Sequence, residues 1–168
     1  AGIIAGKTTA VAKLRKSPIY RALRADKMVI ALLEAVLNQY LYVDGYKQLP
    51  VFKLAALKKE SLRKRAELAA EKLNDLHCLD LTVVDLESTM GGGSLPGELL
   101  PSAGLAINIK KSNSSLSHLS RLLRQGEPAV IGKVTDNQLC LDFRTIDVSD
   151  DANLFAALRS ADRQLSKL

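Results

Sequence analysis

Leu79-Asp80-Leu81-Thr82-Val83 and Leu105-Ala106-Ile107-Asn108-Ile109 are the two stretches whose reading decides the fold of this 168-residue chain. In each, apolar residues fall on every second position, the period of a strand with one face on a core and the other on solvent. Such half-buried strands belong to antiparallel rather than parallel sheets. Helical spacing flanks them. Before the first lie Leu62, Ala66, Ala69 and Leu73, with Lys59, Arg63, Lys64, Glu67 and Glu71 on the other side. After the second come Leu116, Leu119, Leu122 and Leu123, closed by Gly126. Ala129 to Val134 and Leu139 to Phe143 are predicted to form a hairpin across Asp136-Asn137, residue types that tolerate turn geometry. Ser149 is the predicted cap of a last helix carrying Leu154, Leu158, Ala161 and Leu165. Residues 45–168 therefore read as an α+β domain, an antiparallel sheet with helices packed on it.

Moving back toward the amino terminus, Pro50 opens a helical stretch and 43–48 reads as a loop. Lys7 to Lys16 suits a short helix with Val11 and Leu14 on its apolar side. Ser17-Pro18 starts another, because serine is a favoured cap and proline is tolerated at the first helical position. Val29, Leu33, Val36, Leu37 and Tyr40 form one stripe, so a single helix from Pro18 to about Tyr42 is expected, long enough to connect two domains. Ala1-Gly2-Ile3-Ile4-Ala5-Gly6 looks like a strand ending in a glycine turn. A strand needs neighbours on its edges, so the expectation is that further chain precedes Ala1 and that residues 1–44 end a larger domain.

Hydrophobic residues make up 47% and charged residues 25%, a globular mixture rather than a disordered one. No apolar run approaches the length of about 18 residues that a spanning helix needs, and the expected location is the cytoplasm. Cys78 and Cys140 stand far apart without metal-ligand spacing and read as buried or half-buried thiols; His77 beside Cys78 would point to the opposite face. The net charge of +6, with a pI near 9.4, is compatible with a polyanionic partner such as tRNA. The charge run Lys58 to Arg65 reads as a solvated helix face, with RNA contact as the alternative.

Ala1 to Thr8 also approximates a phosphate-binding loop, and Leu81-Thr82-Val83-Val84-Asp85 a metal-holding strand end. Against that reading, the first position is alanine, Ile3 and Ile4 occupy the would-be loop, and the parallel β-α alternation of nucleotide-binding folds is missing. The glycine loop Gly91 to Gly97 reads as a place for backbone turns rather than a phosphate cradle, since Pro96 removes an amide donor.

Ala1 to Lys7, then Ser17-Pro18-Ile19-Tyr20-Arg21-Ala22-Leu23-Arg24-Ala25-Asp26-Lys27-Met28, resemble the bacterial selenocysteine synthases, the L-seryl-tRNA(Sec) selenium transferases. Gly91 to Glu98, Leu100 to Ser102, Gly126 to Gly132 and Leu141 to Thr145 continue the resemblance in order. It implies a parent enzyme of the fold-type-I, pyridoxal-phosphate-dependent class, a large α/β cofactor domain with a small carboxy-terminal domain. It implies conversion of seryl-tRNA(Sec) to selenocysteinyl-tRNA(Sec), selenophosphate as selenium donor, and a homo-oligomer. It places the Schiff-base lysine upstream of Ala1, so the chain alone is expected neither to hold pyridoxal phosphate nor to be active. Lys7, Lys13, Lys16 and Lys27 read as helix-surface charges instead. Arg21 and Arg24, three apart on the expected helix, become the candidates for binding the donor's phosphate-like group, because planar forked donors suit oxyanions. Lys27 continues their row. Arg144 is a weaker candidate and otherwise reads as a surface ion-pair residue. Lys133 stands where the family pattern has arginine, Leu99 where glutamate is common, and Asp136-Asn137 where Asp-Gly is expected.

Overall fold

The computed structural model describes residues 2–90, 98–110 and 114–167; the glycine loop Gly91 to Gly97 lies outside them. The chain forms two compact units, residues 1–53 and 54–168.

The second unit is α+β. Its sheet has four antiparallel strands in the order β1-β2-β4-β3: β1 (Leu79–Thr89), β2 (Leu99–Ile109), β3 (Lys133–Thr135) and β4 (Gln138–Asp142). β1 and β2 run well past the alternating stretches, paired from Leu79↔Ile109 to Thr89↔Leu99. The β3–β4 hairpin turns on Asp136 and Asn137, both at positive φ (48° and 58°). Two left-handed residues make the turn whose twist matches the flanking strands, and Asp and Asn bear that geometry best after glycine. The first arm is shorter than expected: 129–132 pair with no strand, and Phe143 begins a 3₁₀ turn (Phe143–Thr145).

Helices cover one sheet face: Lys59–Lys72, Leu116–Gln125 and Asp151–Leu165. Numbered in chain order they are α5, α6 and α7. Leu62, Ala66, Leu119, Leu123, Leu158 and Leu165 meet Leu79, Leu105, Ile107, Leu139, Leu141 and Phe143 in one core, all nearly or wholly removed from water. At Gly104 a Cβ would overlap the Leu141 carbonyl oxygen, so β2 and β4 approach this closely only with glycine there. Ser149 does not cap α7. A 3₁₀ turn (Val148–Asp150) precedes that helix, and the Asp147 carboxylate accepts from Ser149 N at 2.9 Å.

The first unit is helical: α1 (Thr8–Lys16), α2 (Pro18–Ala22), α3 (Lys27–Gln39), a 3₁₀ turn (Gly45–Gln48) and α4 (Pro50–Ala55), whose last two residues belong to the second unit. The single long helix expected from Pro18 to Tyr42 is two helices. Asp26 explains the break, because its carboxylate accepts from Val29 N at 2.8 Å and starts α3 afresh. The opening strand is absent too: residues 2–6 have no regular structure and pair with none of the four strands. Tyr40, Tyr46 and Phe52 pack ring against ring with centroids 5.5–6.3 Å apart. No described residue from 2 to 53 is buried.

Candidate functional site

Arg21 lies in α2, Arg24 in the irregular three-residue link Arg24-Ala25-Asp26, and Lys27 is the first residue of α3. The break at Asp26 therefore removes the helical row on which the sequence spacing placed them. All three side chains are exposed, and among the described residues none takes part in an ion pair. They bracket the start of α3, where the helix dipole also favours an anion. Asp26 already holds one amide there and adds one negative charge against the three positive ones.

Arg144 is the clear correction. It is only 4% exposed and is no surface ion-pair residue. Its guanidinium donates to the carbonyls of Leu54 (2.7 Å), Ala55 (3.1 Å) and Pro101 (2.7 Å). Nη1 thus closes the carboxy-terminal end of α4, whose last carbonyls have no helical partner, and Nη2 ties it to β2. A guanidinium committed to three carbonyls is a strut and not a receptor for a ligand. Nε alone has no protein partner.

The run Lys58 to Arg65 is likewise not a purely solvated face. Lys59 and Arg63 both meet Asp85 on β1, at 2.8 and 2.7 Å. The Lys59 hydrogen bond, with Arg63 beside it, holds the Asp85 carboxyl below the usual carboxylate range. That same Asp85 is the metal-binding aspartate of the phosphate-loop alternative, and the sheet it sits on is wholly antiparallel; the nucleotide-binding alternative is set aside. Arg65 points inward. It embraces Asp151 with Nε and Nη2, at 2.5–3.1 Å, donates to the carbonyls of Phe143, Ile146 and Asp147, and lies 5.0 Å over the Phe143 ring.

Two further carboxylates were passed over in the sequence. Asp162 on α7 is buried and accepts from the backbone N–H groups of His77, Cys78 and Leu79, fixing where β1 begins. Asp142 accepts from the hydroxyls of Ser88 and Ser102 and from Arg144 N. Their partners lie 40 to 85 residues away in the chain or close by with no distinguishing pattern, so no spacing announced them. Asp26 could have been found: an aspartate just before a periodic apolar run is a helix-start signal.

Cys78 and Cys140 are both buried and unpaired with each other, and burial pushes the Cys140 thiol up, with Asp136 adding to the effect. Lys133 is exposed on β3 and Leu99 half-exposed at the start of β2. Among the described residues no group of His, Cys, Asp and Glu side chains is arranged to hold a metal ion, and no helix is long and apolar enough to cross a membrane.

The family resemblance implies pyridoxal phosphate, whose binding needs a sheltered lysine to form an imine and a cup of donors for its phosphate. The residues present do not fit it. Lys7, Lys13, Lys16, Lys27, Lys47 and Lys53 are all exposed, and Lys59, which is half-buried, is spent on Asp85.

The family model for L-seryl-tRNA selenium transferase (SelA) matches residues 1–147. Among curated proteins, the chain is 38% identical over 167 residues to the L-seryl-tRNA(Sec) selenium transferase of Shewanella oneidensis, covering 98% of this chain and 35% of that protein. It is 36% identical over 146 residues to that of Aquifex aeolicus (87% and 32%) and 38% identical over 151 residues to that of Klebsiella pneumoniae (88% and 32%). The chain thus spans about a third of the length of the curated relatives it matches. With a match running from the helical first unit through the sheet of the second, the chain belongs to the L-seryl-tRNA selenium transferase family.

Proposed function

We propose that this chain is the carboxy-terminal part of an enzyme that converts seryl-tRNA(Sec) to selenocysteinyl-tRNA(Sec), with selenophosphate as the selenium donor. In this reading the parent is a cytoplasmic homo-oligomer of the fold-type-I class. Residues 1–44 are the end of its cofactor domain, and residues 45–168 are its small domain. Pyridoxal phosphate, which supplies an electron sink when bound, is held by parts of the parent outside this chain, so the chain alone is inactive. Membership of the family supports the reading, over 147 of 168 residues.

The role proposed for this chain's own residues is binding and orienting the donor. Arg21 and Arg24 present two exposed guanidiniums, with Lys27 next to them, on a short stretch whose only acid is Asp26. Unpaired arginines can offer forked donors to the oxygens of a phosphate-like group without first breaking an ion pair. That absence of partners is the observation that carries the assignment.

The test is Arg21→Ala and Arg24→Ala in the full-length protein, with selenium transfer measured at varied selenophosphate. A charge-assisted hydrogen bond is worth about 1.5–3 kcal/mol, so each change should lower kcat/KM for the donor about 10- to 100-fold. Seryl-tRNA binding should stay unaltered. Unchanged transfer in both variants removes the two arginines from the mechanism.

A further inference from the structure

Between Pro18 and Gln39 the chain contains no glycine and no further proline, so neither of the usual backbone breakers ends a helix there. One side chain makes the break instead. Asp26 is extended (φ −77°, ψ 173°), and its carboxylate accepts from Val29 N at 2.8 Å. Its carbonyl accepts from Ile30 N at 3.1 Å and so opens the α3 ladder. Lys7 before α1 and Ser17 before α2 make no side-chain cap bond. Of these three helix starts, only that of α3 is closed by a side chain.

The break decides where three cations stand. On one continuous helix Arg21, Arg24 and Lys27 would climb the axis in steps of about 4.5 Å, each turned about 60° from the last. Neighbours of like charge in such a row repel, and the row spreads its donors along a line. A single tetrahedral oxyanion is better met from several directions. In the structure Arg21 belongs to α2, Arg24 to the link and Lys27 to the first turn of α3. The acid nearest to them is also withheld from them. The Asp26 carboxylate is bonded to its own helix and, among the described residues, forms an ion pair with none of the three.

We propose that Asp26 is the positioning residue of the selenium-donor site. By capping α3 it holds Arg21, Arg24 and Lys27 around one link rather than along one row, without touching the donor itself. The inference rests on the proposed function, in which Arg21 and Arg24 bind the phosphate-like group. What Asp26 contributes is the geometry of its cap and not its charge.

Two substitutions separate these contributions in the full-length protein. D26N removes the charge and keeps a favoured cap, whereas D26E keeps the charge and gives up the favoured cap. Selenium transfer is measured at varied selenophosphate with saturating seryl-tRNA. D26E should raise KM for selenophosphate about fivefold, the factor to which loss of a typical cap corresponds. Its kcat and its KM for seryl-tRNA should not change. D26N should show a selenophosphate KM no higher than the wild type. The opposite pattern, with D26N impaired and D26E normal, overturns the proposal, because the charge would then be the active element. A D26E enzyme that loses kcat at unaltered selenophosphate KM overturns it as well, since that is the mark of a cap serving stability alone. Failure of the underlying reading shows separately: Arg21→Ala and Arg24→Ala would then leave transfer unchanged. If those two variants are impaired while D26E matches the wild type, the arginines stand and only the role of Asp26 falls.

Discussion

Residues 54–168 and residues 2–53 draw on similar apolar residues and end in opposite states. In the second unit, leucines at helical and strand spacing close on one another until Leu105, Leu119, Leu139 and Leu158 are wholly buried. In the first, Leu32 is 65% exposed, Leu41 81% and Val43 98%, and nothing is buried. Net charge follows the same division, balanced in residues 54–168 and positive in residues 1–53, where Lys47 with Asp44 is the one ion pair among the described residues. The difference teaches that periodicity specifies which side of a helix is apolar but not what covers it. An exposed apolar set of this extent marks a surface for contact rather than a finished core.

The sharpest way to break the contrast is through Arg65, which is the hub of the second unit and has no counterpart in the first. Arg65→Met leaves Asp151 and the carbonyls of Phe143, Ile146 and Asp147 without their shared donor. Stability in urea should fall by about 3–5 kcal/mol, the cost of removing one partner from a largely buried pair. Arg65→Lys should recover little of it, because an ammonium cannot reproduce the planar fork. A loss no greater than that of an exposed ion pair would show the network to be ornamental.

Core packing comes next. Leu158→Ala should cost about 3 kcal/mol in the same measurement, whereas Leu32→Ala in α3 should stay within about 0.5 kcal/mol. Equal losses would mean that the first unit has a core after all.

The smallest effect is electrostatic. The folded Asp85 carboxyl is held below its unfolded value, first by Lys59 and then by Arg63. Its contribution is therefore complete above the ordinary carboxylate range, near pH 4, and is lost as pH falls through the depressed folded value. Asp85→Asn should make the acid-side decline in thermal stability shallower and leave the variant slightly less stable at neutral pH. An acid-side profile identical to that of the wild type would show that the Lys59–Asp85–Arg63 cluster adds nothing to folding.

Much of the second unit was legible in the residues. The alternation at Leu79–Val83 and Leu105–Ile109 located two strands, Asp136-Asn137 located the hairpin, and the leucines of α5 to α7 named the core before it was seen. The first unit was read less well, because the apolar stripe of α3 hid the cap at Asp26 and a lone apolar run passed for a strand. Of the candidate site, Arg21, Arg24 and Lys27 are exposed as a ligand-facing group should be, but their common helical row does not exist. Arg144 had the residue type of a ligand-binding group and the position of a strut.

By itself the sequence determined the kinds of local structure, the apolar sides of the helices and the segregation of charge, because each follows from spacing or counting along the chain. The tertiary structure alone decided which charges are spent and which remain. Arg144, Arg65 and Asp162 meet their partners 43 to 90 residues away, at distances of 2.5–3.2 Å that only the packed sheet and helices create. A guanidinium looks the same in any sequence. Whether it is exposed to bind a substrate or buried to hold a helix end depends on the carbonyls that folding brings within reach.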